Sequence, residues 1–96
     1  MIASGVDIAR RERHAVVERG ALVGVLLIAL PDTTPWGDDL TVVLIKPRRS
    51  SATWYSAWGH RRDLLDEILV GRRVSIRWRR YDGGARRYLE DITVTP

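Results

Sequence analysis

The stretch that most limits what this chain can fold into is AVVERGALVGVLLIAL, residues 15–30, with Gly20 and Gly24 inside it. Its aliphatic and β-branched content reads as one long strand. A glycine within a strand marks a bulge or a sharp bend, which a sheet needs in order to close on itself. The apolar part, ALVGVLLIAL, is ten residues long, against the ~20 a helix needs to cross a bilayer. Arg10, Arg11 and Arg13 precede it, but the chain runs on into PDTTPWGDD without a small-residue cleavage site, so a buried strand is favoured over a signal peptide.

Ninety-six residues provide one small core. With 45% hydrophobic and 29% charged residues the composition is that of a globular, soluble chain. There is no cysteine, so disulfides and thiolate chemistry are excluded and a cytoplasmic location is expected. Residues 1–13 are polar and mixed in charge, and read as an arm or a short helix ahead of a single domain over 14–96.

After the long strand, PDTTPWGDD is a loop, with Pro31, Pro35 and Gly37 as breakers. LTVVLIK (40–46) and ATWYSAW (52–58) read as the second and third strands. In HRRDLLDEILVG the apolar positions Leu64, Leu65, Ile68 and Leu69 fit one face of a helix of two or three turns, with Gly71 where a left-handed C-terminal cap would sit. Strand alternation then returns: Val74, Ile76 and Trp78 on one side, Ser75, Arg77 and Arg79 on the other. Asp82-Gly83 signals a tight turn. RRYLEDITV comes back as a fifth strand, in which the unequal parity of Leu89 and Ile92 calls for a bulge near Glu90-Asp91. The expected fold is all-β: a five-stranded barrel of the oligonucleotide/oligosaccharide-binding (OB) type, with one helix between strands three and four.

TWYSAW, LLDEILVGRRVSIRW and YDGGARRYLEDITV together give the last 45 or so residues a pattern that resembles bacterial single-stranded DNA-binding proteins and their primosomal relatives. The resemblance implies an OB barrel, a non-enzymatic role on single-stranded nucleic acid, Trp54 as a stacking residue, and assembly into dimers or tetramers. The first half carries no motif of that family. The chain ends in TVTP rather than an acidic tail, so the recruiting function that the tail serves in the family is not expected.

Charge supports a polyanionic partner. Residues 1–47 hold five basic and six acidic side chains, whereas residues 48–96 hold eleven and six. Binding a single strand takes cations for the phosphates and ring faces for the bases. The residues expected to supply them are Arg48, Arg49, Trp54, Tyr55, Arg77, Arg79, Arg80, Tyr81, Arg86, Arg87 and Tyr88. The bland readings stand beside this. The arginines could be a charged edge that merely blocks aggregation. Trp78 alternates with core positions and is expected inside. Of the sets Trp54/Ser56/Trp58 and Tyr55/Ala57, one must be buried, and the pattern leaves open which. Trp36 could cap the barrel, touch a base or mediate self-association.

Catalysis is not expected. His14 and His60 are isolated, Asp38-Asp39 reads as a solvated turn rather than metal ligands, and Asp63, Asp66 and Glu67 pair locally with Arg61 and Arg62. No cofactor or metal is implied, and no membrane. The partners expected are single-stranded DNA or RNA and further copies of the chain. The alternative is a protein-interaction or oligomerisation module that uses an apolar strand edge such as Leu40–Ile45, with incidental arginines.

Overall fold

A computed structural model describes residues 15–96; the arm or short helix expected over 1–13, and His14, lie outside them. Five strands follow in order: β1 (Val16–Thr33), β2 (Asp39–Pro47), β3 (Thr53–Trp58), β4 (Arg73–Tyr81) and β5 (Arg87–Val94), with a helix α1 (Arg62–Leu65) between β3 and β4. They make one sheet that closes into a ring in the order β1-β2-β3-β5-β4. Every pair is antiparallel except β3 and β5, which meet in parallel at Ser56 and Tyr88.

Closure runs through β1. From Val16 to Val25 it pairs with β4, and from Gly24 to Thr33 with β2, so that Gly24 and Val25 are paired on both sides. Both glycines of the strand serve close approach. A Cβ on Gly24 would lie 2.7 Å from the Lys46 carbonyl oxygen, and one on Gly20 would lie 2.5 Å from Cζ2 of Trp78. The register shifts fall elsewhere, between Val16 and Glu18 and between Leu26 and Ile28. The skipped residues Val17 and Leu27 are 50% and 43% exposed, so each extra residue is accommodated toward solvent. β1 also continues through Pro31, opposite Thr41. It is paired on one side only there, which is where a proline without an N–H is tolerated.

Alternation builds the core. Val43 and Ile45 of β2, Tyr55 and Ala57 of β3, and Val74, Ile76 and Trp78 of β4 meet Leu26 of β1 inside the ring. The offset of Leu89 and Ile92 is absorbed by a bulge at Glu90, between the pairs Arg77↔Asp91 and Trp78↔Leu89, and both apolar residues pack on the core.

The helix is shorter than its apolar spacing suggests. Arg61 at the N-cap makes no side-chain capping bond, and Glu67 adopts φ 61, which ends the helix after one turn. Leu64 plugs the core with no exposure, while Ile68 is 61% exposed, so the four apolar positions do not form one buried stripe. Gly71 has φ 86, but it stands six residues beyond the last helical residue and closes a turn, with the Arg72 N–H donating to the Leu69 carbonyl at 3.0 Å. Its own N–H donates to the Leu26 carbonyl at 2.7 Å, and the Leu26 N–H donates to the Arg72 carbonyl at 3.1 Å. This segment is thereby stitched to β1. Among the described residues no helix is long and apolar enough to cross a membrane.

The two kinds of glycine should behave differently in urea denaturation. Gly24→Ala puts a methyl group against backbone and is expected to cost about 1–3 kcal/mol. Gly84→Ala would meet only the Tyr81 carbonyl oxygen, at an ordinary 3.6 Å, and should stay within about 0.5 kcal/mol of the parent. Equal losses would remove the close-approach explanation.

Candidate nucleic-acid interface

Because Tyr55 and Ala57 point inward, Trp54 and Trp58 face out, with Ser56 on the same side beneath Arg86. They join a groove of about 1390 Å³ over the outer face of β2 and β3. Its floor includes the cross-strand row Leu30, Val42, Ser56. One wall is the β1–β2 loop with Trp36; the other is the β4–β5 hairpin with Arg79, Tyr81 and Asp82 through Tyr88.

Local chemistry fixes both walls. In the β1–β2 loop the Thr34 hydroxyl accepts the N–H groups of Trp36 (3.3 Å) and Asp38 (3.0 Å) and donates to the Asp38 carboxylate (3.3 Å). This holds Trp36, 63% exposed, at the rim. The β4–β5 turn closes with the Gly84 N–H donating to the Tyr81 carbonyl at 3.1 Å, and Gly83 supplies φ 75. Arg86 then ties the hairpin to the floor. Its Nη1 donates to Ser56 Oγ at 3.0 Å and pairs with Asp32 at 3.3 Å. Ser56 is buried, so this bond satisfies a hydroxyl that would otherwise be costly.

The rings are already organised. Trp58 stacks on Tyr88 at 5.0 Å between centroids with 6° between planes. Tyr81 meets Tyr88 edge-on at 5.7 Å. The Arg79 guanidinium lies 5.5 Å from the Tyr81 centroid, and that of Arg87 lies 4.5 Å from the buried Trp78 ring. Burial raises the Tyr88 phenol above its usual value, against a weaker pull downward from Arg86.

Charge in the groove is balanced: Arg79, Arg86 and Arg87 against Asp32, Asp38 and Asp82. Arg86 is engaged by Asp32, while no carboxylate among the described residues pairs with Arg79 or Arg87. Arg79 Nε is buried without a hydrogen-bond partner, an unsatisfied donor in the wall.

Six residues singled out from the sequence therefore meet in the groove: Trp54, Arg79, Tyr81, Arg86, Arg87 and Tyr88. The others do not. Tyr55 is 2% exposed and belongs to the core, because β3 turns it toward Trp78, 6.2 Å away. Arg77 pairs with Asp91 at 3.6 Å on the β4–β5 outer face. Arg80 is held by Glu18 at 2.8 Å and by the Gly84 carbonyl at 3.0 Å. That contact keeps the Glu18 carboxyl below its ordinary range. Arg48 lies in a separate depression with Lys46 and Arg73, and Arg49 is not among the residues lining either site. Trp58, Ser56 and Asp32 are groove residues that sequence reasoning did not single out. The alternation in TWYSAW carried the signal for the first two; nothing in the pattern marked Asp32.

The Tyr88 phenol gives a direct check on this packing. Followed by its ring-carbon NMR shift, it should titrate above the ordinary value of about 10. Trp58→Ala, which uncovers the ring, should bring it down, and Arg86→Ala should raise it further. A Tyr88 titration insensitive to both changes would contradict the stack.

Comparison with protein-family models, curated proteins and solved structures finds no match to this chain.

Proposed function

We propose that the chain is an OB-type barrel that binds single-stranded DNA or RNA in the groove over β2 and β3, without catalysis. The observation that carries this reading is where the groove lies. It occupies the β2–β3 face between the β1–β2 and β4–β5 connections, the position at which barrels of this type take oligonucleotides. The strand order β1-β2-β3-β5-β4 and a first strand shared by both of its neighbours support the same assignment.

In this reading Trp54, 47% exposed, and Trp58, 45% exposed, offer faces to successive bases, with Tyr81 and Tyr88 behind them. Arg79 and Arg87 carry the phosphates. Stacking contributes about 1–3 kcal/mol per base and tolerates any sequence. Two cations without carboxylate partners among the described residues supply only a modest salt-dependent term, a slope of roughly −1.4 in log K against log salt.

A second reading rests on the exposed face of β1, which meets the groove at Leu30. Val17, Val23, Leu27, Ile28 and Leu30 are exposed along β1, and each half of β1 is paired on one side only. The proposed homo-oligomer would form there. The Leu40–Ile45 edge considered from the sequence is not available, since β2 is paired to β1 and to β3 along that length.

Oligothymidylate should quench tryptophan fluorescence. Trp54→Ala and Trp58→Ala should each weaken binding about 5-fold to 150-fold. Arg77→Ala, outside the groove, should leave it unchanged. Equal quenching by duplex DNA, or full affinity in both tryptophan variants, would overturn the assignment.

A further inference from the structure

We infer that the strand held in the groove is also gripped by a separate phosphate-binding patch formed by Lys46, Arg73 and Arg48. The inference rests on the single-strand reading of the groove and adds a second contact region to it.

The registers place this patch. Val25 is the residue opposite both Lys46 on β2 and Arg73 on β4. Directly opposed residues project from the same face of a sheet, so Lys46, Val25 and Arg73 form one row across three strands. Arg48 joins the same depression from the β2–β3 turn. Neighbouring strands are about 4.8 Å apart, so the Cα atoms of Lys46 and Arg73 are roughly 10 Å from each other. Like charges on side chains of one row repel, and an anion held between them relieves the repulsion.

Nothing within the described residues offers that relief. No Asp or Glu lines the depression, and no carboxylate pairs with Lys46, Arg48 or Arg73. The Lys46 ammonium is met by the Pro47 carbonyl at 2.8 Å, a neutral acceptor. The groove, by contrast, has an aspartate for each of its arginines. Surplus positive charge therefore sits in the depression rather than among the rings.

The patch also lies in line with the groove. Along β2 the outward positions are Val42, Leu44 and Lys46. Val42 lies in the floor row with Leu30 and Ser56, and Leu44 is flanked by Ile28 and Trp54. Lys46 comes next, about 13 Å from Val42 at the usual strand rise. A chain stacked on Trp54 and continuing along the same face reaches it without turning a corner. The chemistry fits a phosphodiester backbone with no base readout, because among the described residues the only uncharged side chains lining the depression are Val23, Val25 and Pro47.

The test compares oligothymidylates of about 4 and about 16 nucleotides, bracketing the usual site size. They are titrated by tryptophan quenching at several salt concentrations against the parent, the triple variant Lys46→Gln/Arg48→Gln/Arg73→Gln, and Trp54→Ala. In the parent the long oligomer should bind with a slope steeper than the short one by about 2, as three added phosphate contacts require. The triple variant should keep its affinity for the short oligomer and lose the extra slope for the long one. Trp54→Ala should weaken both. Parent-like binding of the long oligomer by the triple variant overturns the patch and leaves the groove assignment standing. If the parent binds neither oligomer, the groove assignment fails and the patch falls with it. All three substituted residues are exposed. Should the triple variant nonetheless unfold, Lys46→Gln/Arg48→Gln gives the same comparison with about two-thirds of the slope change.

Discussion

The ring of strands depends on one short piece of backbone. At Gly24 and Val25, β1 is hydrogen-bonded into both halves of the sheet at once, and the Lys46 carbonyl comes so near that no side chain fits at Gly24. Without that approach, β2 and β4 would flank one straight strand, and the sheet would stay open with its apolar face half covered. With it, eighteen residues serve two sheet edges in turn. Leu26, one residue past the crossover, is fully enclosed. Trp78 depends on a second close approach: its ring lies so near Gly20 that a side chain there would force one of them to move.

This closure also builds the groove. Once Tyr55 and Ala57 are committed to the interior, strand pleating leaves Trp54 and Trp58 on the outside, with Ser56 between them under the hairpin. The parallel contact of β5 with β3 then brings Tyr88 beside Trp58. Arg86 joins hairpin to floor through Ser56 and Asp32. It is thus a structural arginine within a cluster that, counted as charge alone, would be assigned wholly to ligand. Arg77 and Arg80 are likewise engaged by Asp91 and Glu18.

Much of the fold was legible in the sequence because it is written in local signals. Alternation over Val74–Trp78, the turn at Asp82-Gly83 and the parity break before Ile92 each depend on neighbours a few residues away. What escaped depends on partners far along the chain. The roles of Gly20 and Gly24 are set by Trp78 and Lys46. The short helix reflects a missing cap at Arg61 and the left-handed turn at Glu67, whereas its apolar spacing described a longer one. For the site, residue types pointed to rings and arginines but not to which of them meet. The inward course of Tyr55 was undetermined until β2 and β5 were in place. The pairing of Arg80 with Glu18, sixty-two residues away, has no local signature.

The Trp58–Tyr88 contact bears on any occupant of the groove. The stack covers one face of each ring and leaves Trp58 45% exposed, so a group that parts the two rings gains only the difference between its own contacts and the one it displaces. Weakly polarisable or puckered groups gain nothing by parting them. A flat aromatic ring offers two fresh faces for the single one given up. A ligand inserted between these rings would therefore be selected for planarity before any hydrogen bond is formed.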